Sequence, residues 1–150
     1  MEDTFQEFDF LLQSTNYLMN QITRKFLEEQ KLSLPRFWVL MNVNACRGIT
    51  MGELQNKMFL APSSITSLVD SLVDSKLLRR GNHPEDRRVI KLFITEEGKK
   101  ILEEVCAFRY QNLEEALKKI PPDEYPVLIK ALEILNGFLK AKQSSEPSNN

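Results

Sequence analysis

The chain has 150 residues, enough for one domain with a buried core, and 42% of them are hydrophobic against 27% charged. That is the balance of an ordinary soluble globular protein. Twenty Lys and Arg against 21 Asp and Glu leave a net charge of -1, so no global charge draws the chain to nucleic acid and any basic surface must be local.

Two cysteines, Cys46 and Cys106, lie far apart, with no Cys-x-x-Cys pair and a single histidine, His83. This argues against a zinc site. The acidic start "MEDTFQEFDF" lacks the basic segment of a signal peptide. No stretch of about 18 residues is free of charge. The expectation is a cytoplasmic protein with reduced thiols and no membrane contact.

Phe5, Phe8, Leu11, Leu12, Thr15, Leu18, Met19, Ile22 and Phe26 recur every three or four residues, the stripe of a long amphipathic helix. In "LSLPRFWVLMNVNA", Ser33 is placed to cap a second helix and Pro35 to sit in its first turn, where its missing N–H would be unpaired anyway. That helix is predicted to end near Ala45, before Gly48. Thr50 and Glu53 in "TMGELQNKM" form a capping box for a short helix of about two turns. A tight connection through 59–61 leads to Pro62 and a fourth helix, "SSITSLVDSLVDS", whose apolar face is Ile65, Leu68, Val69, Leu72 and Val73. A short helix, a tight turn and a second helix opening on small polar residues is a helix-turn-helix pattern.

Two short extended segments, "LLRR" and "RRVIKLFIT", flank the turn-like "GNHPED" and predict a β-hairpin. Its second strand is apolar on both faces, with Val89 and Phe93 against Ile90, Leu92 and Ile94. Thr95 is placed to cap a fifth helix reaching about Ile120, with Glu96 and Glu97 at the positive end of its dipole. "PPDEYP" interrupts the helical pattern. Asp123 is expected to cap a last helix striped by Leu128, Ala131, Leu132, Leu135, Phe138 and Leu139. "KQSSEPSNN" reads as a disordered polar tail.

The predicted fold is mainly α: a winged helix-turn-helix with a two- or three-stranded β wing and long N- and C-terminal helices. The terminal stripes carry more apolar surface than one small domain can cover, which points to a dimer. The expected division is dimerisation helices at 1–31 and 99–141, a DNA-binding region at 32–98 and a polar tail at 142–150.

These motifs, in this order, resemble the MarR family of bacterial transcription regulators. "LSLPRFWVLMNV" is similar to the family's second helix, "TMGELQNKM" to the first half of its helix-turn-helix, and "SSITSLVDSLVDSKLLRR" to its recognition helix and first wing strand. "HPEDRRVIKLFITEEGKKILEE" is similar to its wing, with Asp86-Arg87-Arg88 as the D-x-R element and 94–98 as a Leu-Thr-x-x-Gly-like element. The resemblance is strong over about residues 32–104. It implies a homodimer that binds pseudo-palindromic double-stranded DNA and represses, and that a small, often aromatic effector releases.

On that resemblance Arg88 enters the minor groove at the wing tip and Asp86 orients it. A narrow minor groove concentrates negative potential and favours a guanidinium. Lys76, Arg79, Arg80, Arg87, Arg88 and Lys91 against Glu85 and Asp86 give a local excess of four positive charges (6 − 2), an electrostatic footprint for DNA. Ser63, Ser64, Thr66 and Ser67 open the recognition helix, where hydroxyls can meet base edges or phosphates.

Residues 62–75 contain no base but include Asp70 and Asp74, and Lys76 stands where relatives usually have glycine. The wing is therefore expected to carry much of the electrostatic binding. Phe37, Trp38 and Met41 are candidates for an effector pocket, although aromatic helix residues are more often core. Cys46 and Cys106 read as inert thiols. No pattern of an enzyme, metal or cofactor site is present. A second function stays open: a winged-helix protein-interaction or ligand-binding module with weak or lost DNA binding.

Overall fold

The computed structural model describes residues 2–82 and 89–145, with side chains as far as residue 142. The chain divides into two units, Met1–Tyr110 and Gln111–Asn150. The first holds α1 (Glu2–Glu29), α2 (Leu34–Asn44), α3 (Met51–Met58), α4 (Pro62–Asp74), β1 (Leu78–Asn82), β2 (Ile90–Ile94) and the start of α5 (Glu96–Leu117). The second holds the end of α5, a 3-10 turn at Pro122–Glu124 and α6 (Tyr125–Ser145).

The predicted order of elements is observed. β1 and β2 pair antiparallel from Leu78 opposite Ile94 to Asn82 opposite Ile90. Ile49, just ahead of α3, adds a bridge by exchanging two backbone hydrogen bonds with Leu92 (3.2 and 2.7 Å). The wing is thus two strands and one bridging residue. β2 is partly buried on both faces, as its pattern predicts: Leu92 is enclosed with Ile94 half-buried beside it, Phe93 is half-buried on the other face, and only Ile90 at the outer end of the strand is exposed.

Sequence periodicity explains the core. Ile65, Val69 and Leu72 lie three or four positions apart on α4 and are buried together with Phe37, Leu40 and Val43 of α2, Leu54 of α3, and Leu78 and Leu92 of the hairpin. Each fully buried side chain of this size contributes about 1.5–3 kcal/mol. The capping residues read from the sequence are in place. Ser33 Oγ accepts from the Arg36 N–H, and Thr50 and Glu53 form both halves of their capping box.

Three non-glycine residues adopt left-handed backbone among the described residues, Lys31 (φ 52°), Phe59 (φ 51°) and Lys76 (φ 60°), each just past a helix end. Lys31 and Lys76 close Schellman motifs. After α4, the Lys76 N–H donates to the Val73 carbonyl and the Leu77 N–H to the Leu72 carbonyl, both at 2.9 Å. Lys76 therefore does the work of the glycine usual there, in the conformation that glycine adopts most readily.

Gly98 is required for a different reason: a Cβ there would collide with the Leu77 carbonyl oxygen. The Gly98 N–H donates to Thr95 Oγ1 (3.0 Å), so Thr95 caps α5 as expected.

Two expectations near the C-terminus are corrected. Asp123 does not cap the last helix; it lies inside the 3-10 turn Pro122–Glu124, and α6 begins at Tyr125. Pro122 pre-sets the turn, and the Glu124 N–H bonds back to the Pro121 carbonyl (3.0 Å). α6 also continues through Ser145, so residues 142–145 of the expected tail are helical. Lys142 suits a helix C-terminus, where cations meet the negative end of the dipole. The rest of the expected tail lies outside the described residues, as do His83, Asp86, Arg87 and Arg88.

Candidate nucleic-acid interface

The helix-turn-helix consists of α3, the turn at Phe59, and α4. Phe59 takes the left-handed conformation at the end of α3, and its N–H bonds the Gln55 carbonyl (2.9 Å). Ile65, Val69 and Leu72 bury the inner face of α4. The 3.6-residue period then turns Ser63, Thr66, Ser67, Asp70, Ser71, Asp74 and Ser75 outward, where they line one open groove.

Ser63, Ser64, Thr66 and Ser67 are all exposed. None of the four caps the helix: the N-cap position is Ala61, which supplies no side-chain bond, and Pro62 follows it. The first-turn amides of α4 therefore lack a side-chain acceptor, and the positive end of the helix dipole is open to an anion. Thr66 Oγ1 donates to the Pro62 carbonyl (2.9 Å) but keeps lone pairs that can accept.

The basic patch counted along the sequence is divided by the fold. Successive strand residues point to opposite faces. Arg79 lies with its guanidinium 4.5 Å from the centroid of the Phe93 ring. Arg80 crosses to α4 and forms an ion pair with Asp70. A count confined to 76–91 omits Asp70, so it overstates the free positive charge. The wing residues Asp86, Arg87 and Arg88 belong to the segment joining Asn82 to Val89, outside the described residues.

Sequence reasoning missed Arg36, although its place one turn past the Ser33 cap is a usable signal. Its Nη2 donates to Ser75 Oγ (2.8 Å) and to the Ser71 carbonyl (3.4 Å), and its Nη1 to the Lys31 carbonyl (3.3 Å). One guanidinium thus ties the end of α1 and the start of α2 to the last turn of α4.

Of the three effector-pocket candidates, Phe37 is fully enclosed in the core, while Trp38 and Met41 are half-buried against it. Trp38 packs on Phe37 with ring centroids 5.2 Å apart, and Arg109 of α5 lies 5.8 Å from the Trp38 ring. Arg109 also donates to the hydroxyl of Thr23, the one buried polar residue among those described. No periodicity could have announced this cluster, because Thr23 and Arg109 sit on different helices. Both thiols are free and half-buried. Desolvation pushes the Cys106 thiol above its ordinary range, which outweighs the nearby Arg109.

A hairpin following a helix-turn-helix, bridged to the residue before α3, defines a winged helix-turn-helix protein. Residues 32–90 match the MarR family profile. The helix-turn-helix-type transcriptional regulator YsmB of Bacillus subtilis, itself uncharacterized, is 30% identical over 125 residues, covering 83% of this chain and 86% of that protein. A solved MarR family protein from Bacillus stearothermophilus is 29% identical with a TM-score of 0.83, covering 93% of this chain and 97% of that one. Streptococcus pneumoniae FabT, solved in complex with DNA, is 19% identical and shares the fold, with a TM-score of 0.80 over 91% of this chain and 98% of its own. The chain belongs to the MarR family of helix-turn-helix transcriptional regulators. It is a regulator and not an enzyme.

Proposed function

We propose that this chain acts in the cytoplasm as a homodimeric repressor. It binds a pseudo-palindromic DNA operator and leaves it when a small aromatic effector binds. The observation that carries the DNA reading is the outer face of α4, where exposed Ser63, Ser64, Thr66 and Ser67 stand at a helix N-terminus with no side-chain cap. Amides and hydroxyls so placed suit phosphate and base-edge contacts. FabT in complex with DNA supports the same use of the shared fold. Arg88, oriented by Asp86 and joined by Arg87, supplies the minor-groove contact at the wing.

Each unit carries uncovered apolar side chains that favour dimerisation. On α1 these include Phe5, Phe8, Phe10 and Leu18, and on α6 Val127, Ile134 and Phe138. Exposed apolar surface on this scale marks a protein interface. We take 1–31 and 99–141 as the dimerisation helices and 32–98 as the DNA-binding region, with recognition helices about 34 Å apart on the operator. The effector would meet Trp38 and Met41, with Phe37 packed beneath them.

One feature favours the alternative of an interaction module: α4 has no basic residue and two aspartates, Asp70 and Asp74. Fluorescence anisotropy decides between the two. The probes are an inverted repeat from the DNA flanking the chain's own gene and a scrambled duplex, each at two salt concentrations, with wild type and Arg88→Ala. Specific, salt-dependent binding weakened in the variant is expected. Equal, weak binding to both duplexes that ignores the variant favours the interaction module.

A further inference from the structure

Asp70 lies on the outward face of α4, one turn beyond Thr66 and Ser67, in the groove those residues line. Arg80 reaches it from β1, and the two side chains remain 50% and 44% exposed. An ion pair so open to water contributes little to stability. Its position is the informative feature. Arg80 is paired to the outward face of α4, whereas Arg79 lies against Phe93. α4 itself brings no cation to that face.

We propose that Asp70 masks Arg80. In the free protein the carboxylate holds the guanidinium across the outer face of α4. On the operator, a backbone phosphate takes the place of that carboxylate. The two non-bridging oxygens of a backbone phosphate can accept from a guanidinium in the same two-pronged way as a carboxylate. The exchange breaks the Asp70–Arg80 pair, so each binding event carries a cost that a duplex must offset elsewhere. The hydroxyls of Ser63, Thr66 and Ser67 offset it only where base edges match. Asp70 therefore sets how weakly the protein holds arbitrary DNA, through Arg80 rather than through the fold.

This rests on the DNA-binding reading above. Four proteins test it by anisotropy on the inverted repeat across a salt series: wild type, Asp70→Asn, Arg80→Ala and the double variant. Asp70→Asn is expected to tighten binding roughly two- to fivefold with the salt slope unchanged, because the Arg80–phosphate contact forms in both proteins, whereas loss of Arg80 flattens the slope by about one. Arg80→Ala weakens binding, and Asp70→Asn added to it brings no gain. Thermal midpoints of the four proteins stay close together.

If wild type binds and Asp70→Asn binds identically, the masking idea fails while the DNA reading stands. A gain that survives in the Arg80→Ala background also overturns it, because the aspartate would then act by plain repulsion. If neither wild type nor Asp70→Asn binds any duplex, both readings fall.

Discussion

The Thr95 hydroxyl donates to the Lys76 carbonyl oxygen (2.7 Å), a bond that joins the start of α5 to the turn that ends α4. Thr95 Oγ1 in turn accepts the Gly98 N–H, and the Thr95 N–H donates to the Leu77 carbonyl (3.1 Å). Gly98 closes the contact, since only a residue without a Cβ can approach the Leu77 carbonyl so nearly. The Leu-Thr-x-x-Gly-like element is thus a clasp between the recognition helix and the long helix behind the wing.

Removing the clasp is expected to destabilise the protein through two separate mechanisms. Thr95→Ala loses a helix cap and costs about 0.5–2 kcal/mol, and Thr95→Ser recovers most of it. Gly98→Ala overfills the approach to Leu77 and costs about 1–3 kcal/mol. Denaturant unfolding followed by circular dichroism measures both. A Gly98→Ala midpoint equal to that of wild type would show that the helix shifts freely and that no close approach is needed.

Lys76 predicts the opposite sign. A left-handed L-residue costs roughly 1–2 kcal/mol, which glycine avoids at the expense of about 0.4–1 kcal/mol in unfolded-chain entropy. Lys76→Gly is therefore expected to stabilise by up to about 1 kcal/mol, while Lys76→Ala gains nothing. The comparison of the two midpoints is the measurement. A stabilised alanine variant would place the effect in the lysine charge instead of the backbone.

The sequence made the local features legible because they are written in short spacings. Ser33, Thr50 with Glu53, and Thr95 cap the helices they were assigned, and the α4 stripe is the buried one. What it hid depends on distant parts of the chain meeting. The Asp70–Arg80 pair joins a helix to a strand, and Arg36 joins the α1–α2 corner to α4. Asp123 misled because an acidic residue before a helix looks like a cap, whereas two adjacent prolines had already committed the backbone to a 3-10 turn.

Arg36 is expected to matter for both stability and DNA binding. Its guanidinium donates to the Ser71 carbonyl and the Ser75 hydroxyl in the last turn of α4, where a cation also meets the negative end of the helix dipole. Arg36→Met keeps the apolar stem, removes those bonds, and is expected to cost about 1–3 kcal/mol. Arg36→Lys recovers only part, because a single ammonium cannot replace a fork that reaches three acceptors at once. Paired measurements of unfolding midpoint and operator affinity check this. Full rescue by lysine would reduce Arg36 to a point charge.

Glu53 ties the entry of the helix-turn-helix to pH. The Thr50 N–H donates to its carboxylate (2.8 Å) and the Thr50 hydroxyl lies at 3.0 Å. These bonds favour the ionised form and hold the Glu53 carboxyl below the usual carboxylate range, the backbone bond acting most strongly. A folded-state pKa lower than the unfolded one means the contribution is present above the unfolded value and is lost as pH falls through the folded one. Glu53→Gln can still accept from the Thr50 N–H but has no charge to titrate. Wild type should therefore be the more stable of the two near neutral pH, and the gap should close as pH falls below about 4. Unfolding midpoints of both proteins at neutral pH and near pH 3 read this directly. A gap that stays constant between the two would mean that hydrogen-bond geometry, and not carboxylate charge, holds the start of α3.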